Sequence, residues 1–292
     1  VEAARPFLLG GHWQRSALTA KVVNPFTGET IAEICRAGQT EAAAAVQAAE
    51  AATVPMRELP AHVRADALLR IAAALRARQE EVARTITAEA GKPITDSRRE
   101  VARAIQTFSV AAEEAKRIPG EIVPMDWTPG TEFYLGILRR FPIGPILGIT
   151  PFNFPLNLVA HKVAPALAAG NPIVIKPAPQ TPLTALLLGE IVLESGLPAG
   201  ALSIVPCDNA VAERLVVDDR FKMLSFTGSA AVGWMLKGKA GKKRVTLELG
   251  GNAAVIVEPD ADLDVAAQRC AAGGYAYAGQ TCISVQRIFV HQ

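Results

Sequence analysis

The sequence predicts an α/β protein built on a parallel sheet with helices on both faces. Three observations lead there. From residue 145 onward, short apolar runs suited to strands alternate with helical segments: runs at 145–149, 173–175, 202–205, 222–225 and 244–247, with helical stretches at 155–169, from Thr181, at 209–217 and from Ser229. The punctuation between them fits, with Gly170-Asn171-Pro172 closing one helix and Gly196 following the next. Repeated strand–helix units then require parallel strands crossed over by helices.

The elements before residue 145 read in order. Residues 6–35 are short strands and turns, with Asn24-Pro25-Phe26-Thr27-Gly28 as a turn signal. Thr40 and Glu41 open an alanine-rich helix near 40–53. A second helical pattern runs from Pro60 to Gly91, carrying Leu68, Leu69, Ile71, Ala72 and Leu75 on one face, and Gly91-Lys92-Pro93 stops it. Asp96 caps a third helix that ends before Pro119-Gly120. Residues 121–142 change character and suggest a hairpin arm, either a protruding oligomerisation device or an ordinary edge strand.

After Gly250-Gly251 a new strand at 253–257 and a helix capped by Asp262 open what reads as a second domain. The division is 1–120 with 143–250 as one domain, 121–142 as the protruding hairpin, and 251–292 as the start of an incomplete second α/β domain. A length of 292 residues fits about two domains.

Composition excludes several classes. The net charge is +2 and the cations are scattered, so a nucleic-acid face is not expected. Residues 141–160 carry no charge over a membrane-spanning length, but contain Pro142, Pro145, Pro151 and Pro155, so no membrane segment is expected there. Cys35, Cys207, Cys270 and Cys282 form no Cys-x-x-Cys pair and no zinc-spaced cluster. Reduced thiols, no metal and a cytoplasmic location are the expectation. The N-terminus does not read as a signal peptide.

Ligands of parallel sheets bind at the carboxyl ends of the strands. Four of the five such ends here carry a chemically useful side chain, and a loop cysteine joins them. Asn153 can donate its amide N–H to an oxyanion, or simply form an Asx turn. Lys176 can bond ribose hydroxyls, or be a solvated loop lysine. Thr227-Gly228-Ser229 opens a helix whose free N–H groups suit a pyrophosphate, although no Gly-x-Gly-x-x-Gly string accompanies it. Glu248 can serve as a base if its surroundings are apolar, or precede a Gly-Gly hinge. Cys282 sits in the small-residue loop Gly279-Gln280-Thr281-Cys282, open to nucleophilic use or to burial as a small hydrophobe. Together, an oxyanion donor, a nucleotide cradle, a carboxylate base and a thiol make up a site for covalent aldehyde oxidation with hydride transfer.

The chain resembles the N-terminal part of the NAD(P)-dependent aldehyde dehydrogenase superfamily. Pro151-Phe152-Asn153-Phe154-Pro155, Lys176-Pro177-Ala178, Phe226-Thr227-Gly228-Ser229, Leu247-Glu248-Leu249-Gly250-Gly251 and Gly279-Gln280-Thr281-Cys282 carry the likeness, in order. It implies a Rossmann-like cofactor domain followed by a catalytic domain, NAD or NADP as cofactor, and a homodimer or homotetramer. Cys282 would be the nucleophile, Glu248 the base for a deacylating water, and Asn153 with the Cys282 N–H the oxyanion hole. Thr150, Pro151, Phe152, Lys176, Pro179, Thr227, Gly228, Ser229 and Leu249 would line the cofactor cleft. Leu158, His161 and Arg103 would face the substrate, and the string from Asn153 to His161 resembles relatives acting on lactaldehyde and other short polar aldehydes.

The chain departs from the family pattern in three places. Pro179 stands where many NAD-using members carry a ribose-binding glutamate, which leaves room for NADP. Cys207-Asp208-Asn209 replaces a glycine-rich turn. The family chain also continues well beyond residue 292. A truncated relative that only binds cofactor, and an acylating dehydrogenase that passes the acyl group to coenzyme A, are the competing readings.

Overall fold

The computed structural model describes residues 3–292. Four short strands come first: β1 (Phe7–Leu9), β2 (His12–Gln14), β3 (Thr19–Val23) and β4 (Thr30–Cys35). Five helices follow: α1 (Gln39–Ala51), α2 (Thr53–Glu58), α3 (Ala61–Ala77), α4 (Gln79–Ala90) and α5 (Ile94–Ala115). The hairpin β5 (Glu121–Pro124) and β6 (Leu135–Leu138) leads to the alternating part. That part runs β7 (Ile146–Ile149), α6 (Asn157–Ala168), β8 (Ile173–Lys176), α7 (Leu183–Leu193), β9 (Leu202–Ile204), α8 (Asn209–Val217), β10 (Met223–Thr227), α9 (Ala230–Lys239) and β11 (Arg244–Glu248). The last elements are β12 (Ala253–Val257), α10 (Leu263–Tyr275), a 3₁₀ turn (Ala276–Gly279) and β13 (Val285–Val290).

The central sheet has the order β11-β10-β7-β8-β9-β1-β2. Its first five strands are parallel, as the strand–helix alternation predicts, and β1 joins β9 antiparallel through Leu8 and Ile204. Every residue of β7, β8 and β9 is buried, which requires cover on both faces. The pattern changes toward the β11 edge, where Arg244, Thr246 and Glu248 are exposed on alternate positions.

Packing of α3, α4 and α5 closes the core on one side, with Leu68, Ile71, Leu75, Ile86 and Phe108 fully buried. The apolar stripes of these helices recur at helical spacing, so burial of one face holds them to the body. Two of those stripes contain a glutamate, Glu89 on α4 and Glu100 on α5, and both are buried.

Several boundaries differ from the sequence expectation. The long pattern from Pro60 is two helices, broken at Arg78, where neither glycine nor proline gives a signal. Asp96 does not cap α5: Pro93 precedes the helix, and Asp96 lies inside its first turn. Thr181 does not cap α7, for its hydroxyl is buried without a partner and a distant carboxylate takes that place. Asp262 caps α10 as expected, accepting the Val265 N–H at 3.0 Å.

The 121–142 segment is an antiparallel hairpin with an apolar surface. Phe133 is 99% exposed and Ile122 71% exposed. Among the described residues, no helix is long and apolar enough to cross a membrane, no cluster of metal-ligating side chains occurs, and all four cysteines are free thiols.

Candidate active site

Sheet register gathers the strand-end residues. Ile149 of β7 pairs with Phe226 of β10 and with Lys176 of β8, and Thr227 pairs with Glu248 of β11. Thr150, Lys176, Thr227 and Glu248 therefore share one edge of the sheet, as the rule for parallel sheets requires. A cavity of about 280 Å³ opens there, lined among others by Thr150, Pro151, Phe152, Lys176, Pro179, Thr227, Gly228 and Ser229. Leu249 is not among the lining residues. Its side chain lies against α9, so close that a Cβ on Gly233 would meet its Cδ2 at 2.5 Å.

Helix starts decide where an anion can bind in this cavity. Four helices follow sheet strands, and three have their N-terminal N–H groups taken by carboxylates of this chain. Glu100 accepts from Leu156 and Asn157, each at 3.0 Å, at the start of α6. Glu89 accepts from the Leu183 N–H at 2.7 Å, the Thr184 N–H at 2.9 Å and the Thr184 hydroxyl at the start of α7. Asp208 accepts from Val211 at 2.8 Å at the start of α8. Of these four, α9 has no carboxylate of a described residue on its first N–H groups: it has no side-chain cap and no acidic residue in its first turn. Its N–H groups and dipole remain free for a phosphate group. The glycine-rich turn expected after β9 is thus replaced by a self-capped helix.

Lys176 is buried at the cavity wall, where burial pushes its pKa down while the nearby Cys207 and Asp208 pull it up. The same burial raises the Cys207 thiol to about 11, which makes it inert at neutral pH.

The thiol loop is drawn to the same edge by two contacts. The Asn153 side-chain N–H donates to the Gln280 carbonyl at 2.7 Å. The Cys282 carbonyl lies against the Gly250-Gly251 turn, and a Cβ on Gly251 would stand 2.5 Å from that oxygen. Asn153, the turn after Glu248, and Cys282 are thereby neighbours, although far apart along the chain. An amide has two N–H groups, so one on the loop carbonyl leaves the other for an oxyanion. Cys282 is exposed. Glu248 is also exposed, on an outward position of β11, the strand at one end of the central sheet's order.

Lys162 was missed by sequence reasoning. It is buried on α6 and donates to Ser225 at 3.0 Å and Thr227 at 2.8 Å. Burial lowers its pKa to about 8, against the upward pull of the Glu248 charge. A lysine among Val159, Ala160 and Val163 on a buried face was the available signal.

The substrate-side candidates lie on α5 and α6. His161 is exposed, shares a 3.1 Å hydrogen bond with Asn157, and has its pKa lowered by burial of the ring and by the Arg103 and Lys162 charges. Arg103 is exposed, with its guanidinium 6.0 Å from the centre of the Phe154 ring. Leu158 is partly buried in the first turn of α6.

The chain is similar to known proteins along nearly its whole length. A 3-sulfolactaldehyde dehydrogenase of Priestia aryabhattai is 44% identical over 284 residues, covering 97% of this chain and 59% of that protein. A lactaldehyde dehydrogenase of Methanocaldococcus jannaschii is 40% identical over 276 residues, covering 93% of this chain and 58% of that protein. Among solved structures, aldehyde dehydrogenase 21 from Physcomitrella patens, in complex with the reaction product succinate, superposes with a TM-score of 0.96 at 45% identity, covering 100% of this chain and 61% of that one. The NADP-dependent glyceraldehyde-3-phosphate dehydrogenase of Bacillus halodurans, complexed with NADP, superposes with a TM-score of 0.95 at 33% identity, covering 100% of this chain and 62% of that one. The chain thus spans about three fifths of the length of these relatives. With the aldehyde dehydrogenase family model matching residues 13–292, the chain belongs to the aldehyde dehydrogenase family.

Proposed function

We propose that this chain carries the cofactor site and the nucleophile of an NAD(P)-dependent enzyme that oxidises a small hydroxylated or anionic aldehyde to its acid. The observation that carries this reading is the pair of contacts joining Asn153 to the Cys282 loop and that loop to the turn after Glu248. The cavity's lining suits part of a dinucleotide. The uncapped start of α9 suits its pyrophosphate, and Lys176, buried at the cavity wall, suits ribose hydroxyls. NAD or NADP would supply the acceptor for a hydride.

The residues divide the work in sequence. The Cys282 thiolate adds to the aldehyde carbon, and its electron pair forms the C–S bond as the carbonyl π pair moves onto oxygen. Asn153 Nδ2 and the Cys282 N–H stabilise that oxyanion. The oxyanion collapses, the hydride leaves with its electron pair, and a thioester remains on Cys282. Glu248 takes a proton from water, the resulting hydroxide attacks the thioester, the acid departs with return of the thiolate, and Glu248 releases its proton to solvent. Residues 1–120 with 143–250 form the cofactor domain, 251–292 open the catalytic domain, and the apolar 121–142 hairpin serves assembly into a homodimer or homotetramer.

Arg103 and His161 support a polar or anionic substrate, since the Arg103 guanidinium lies beside Phe154 and its charge reaches the exposed His161 ring. Relatives named for sulfolactaldehyde and lactaldehyde agree with that choice.

Iodoacetamide labelling of the full-length polypeptide, mapped by peptide mass, tests the reading. Cys282 should be the labelled thiol, and NAD or NADP with lactaldehyde, sulfolactaldehyde or succinate semialdehyde should change its rate severalfold. Labelling indifferent to both cofactors and every aldehyde would contradict it. A second expectation concerns Gly251. Gly251→Ala should displace the thiol loop and lower kcat by about 10²-fold, with cofactor affinity unchanged in a fluorescence titration.

A further inference from the structure

We infer that Lys92 is a positioning residue that locks the oxyanion donor and the thiol loop into one unit, a role that rests on the reading of Asn153 and Cys282 above. Lys92 follows the left-handed Gly91 at the end of α4 and is 2% exposed, so it touches neither solvent nor the cofactor cavity. Its ammonium group has three N–H donors to place. One goes to Glu100 Oε2 at 2.5 Å and one to the main-chain carbonyl of Asn153 at 2.7 Å. The third faces two aromatic rings, with Nζ 3.9 Å from the centre of Phe154 and 4.7 Å from that of Tyr277.

Each partner belongs to a different part of the site. Asn153 carries the proposed oxyanion donor. Glu100 uses its other oxygen to hold the start of α6, at Leu156 and Asn157. Tyr277 opens the thiol loop, five residues before Cys282. Its hydroxyl donates to the Ala90 carbonyl at 2.5 Å, two residues before Lys92. Tyr277 and Ala278 also have φ of 49° and 53°, a left-handed backbone that side chains with a Cβ rarely adopt. Such a pair persists only when surrounding contacts hold it. The Lys92–Tyr277 contact, the Tyr277–Ala90 bond and the Asn153–Gln280 bond supply that hold from the sheet-bearing part of the chain. Nothing else in the mechanism uses this buried cation.

The test is made in the full-length enzyme. Lys92→Met removes the ammonium group, and Tyr277→Leu removes both ring and hydroxyl while leaving the Lys92–Glu100 pair intact. Each should lower kcat by at least tenfold, with the Kd for NAD or NADP changed by less than twofold. The double variant should be no worse than the poorer single by more than twofold, because the residues act as one unit. Tyr277→Phe, which keeps the ring, should recover part of the loss. If Lys92→Met does not fold, judged by circular dichroism, the Tyr277 pair of variants decides alone. A kcat within twofold of wild type in Tyr277→Leu, or a cofactor Kd that rises as much as kcat falls, would overturn the proposal. Cys282→Ala measured in parallel tests the nucleophile separately, so an active Cys282→Ala enzyme points to failure of the underlying reading instead.

Discussion

Glu248→Gln should give an enzyme that turns over once and stops. The thiolate attack and hydride loss do not need the carboxylate, so NAD(P)H should appear in a rapid burst of about one equivalent per active chain. Water is then left without its base, and the steady-state rate should fall by about 10³-fold, within the range general bases contribute. Stopped-flow absorbance at the reduced-cofactor band measures both phases. Glu248 is exposed at the end of β11, beside a turn that touches the thiol loop, so the substitution removes a base without opening a cavity. Loss of the burst together with the steady state would assign Glu248 to acylation instead.

Cys282→Ala should abolish both phases. Removing a covalent nucleophile leaves only binding and oxyanion stabilisation, and losses of more than about 10⁴-fold are expected. Cofactor binding should survive, because no atom of Cys282 lines the cavity of Thr150, Lys176 and Ser229. Fluorescence titration with NADPH and NADH separates these effects. Cys35 and Cys207 cannot substitute, since both are buried and Cys207 is held protonated up to about 11, which leaves half-buried Cys270 as the thiol to exclude.

The parallel sheet was legible because its signals are local. Strand runs, helix stops and the residues at strand ends all lie within a few positions of one another, and the register of β7, β8, β10 and β11 then lines up Thr150, Lys176, Thr227 and Glu248. The antiparallel addition of β1 was not legible, since Leu8 and Ile204 meet across most of the chain. Helix caps failed for the same reason. Thr181 looks like the cap of α7, yet Glu89 supplies it from 94 residues away. Glu100 likewise reaches Leu156 across 56 residues.

Those two carboxylates had left a trace. Glu89 and Glu100 interrupt otherwise apolar stripes on α4 and α5, and a charge on a buried stripe needs a partner. The partners turned out to be helix starts and, for Glu100, Lys92. Lys92 lies in Gly91-Lys92-Pro93, whose glycine and proline account for the helix end and give no sign that the lysine between them is buried. Glu89 shows how strongly burial acts here: despite three donors, its carboxyl is pushed up to about 7.

The central claim is that a thioester forms on Cys282 in a site shared with Asn153 and Glu248. Full-length Glu248→Gln enzyme, quenched with acid at the end of its burst with cofactor and lactaldehyde, measures it directly by intact and peptide mass. The account predicts one acyl group per active chain, on the peptide containing Cys282 and absent from Cys282→Ala controls. A full burst with no adduct at Cys282, or with the acyl group on Cys270, would contradict it.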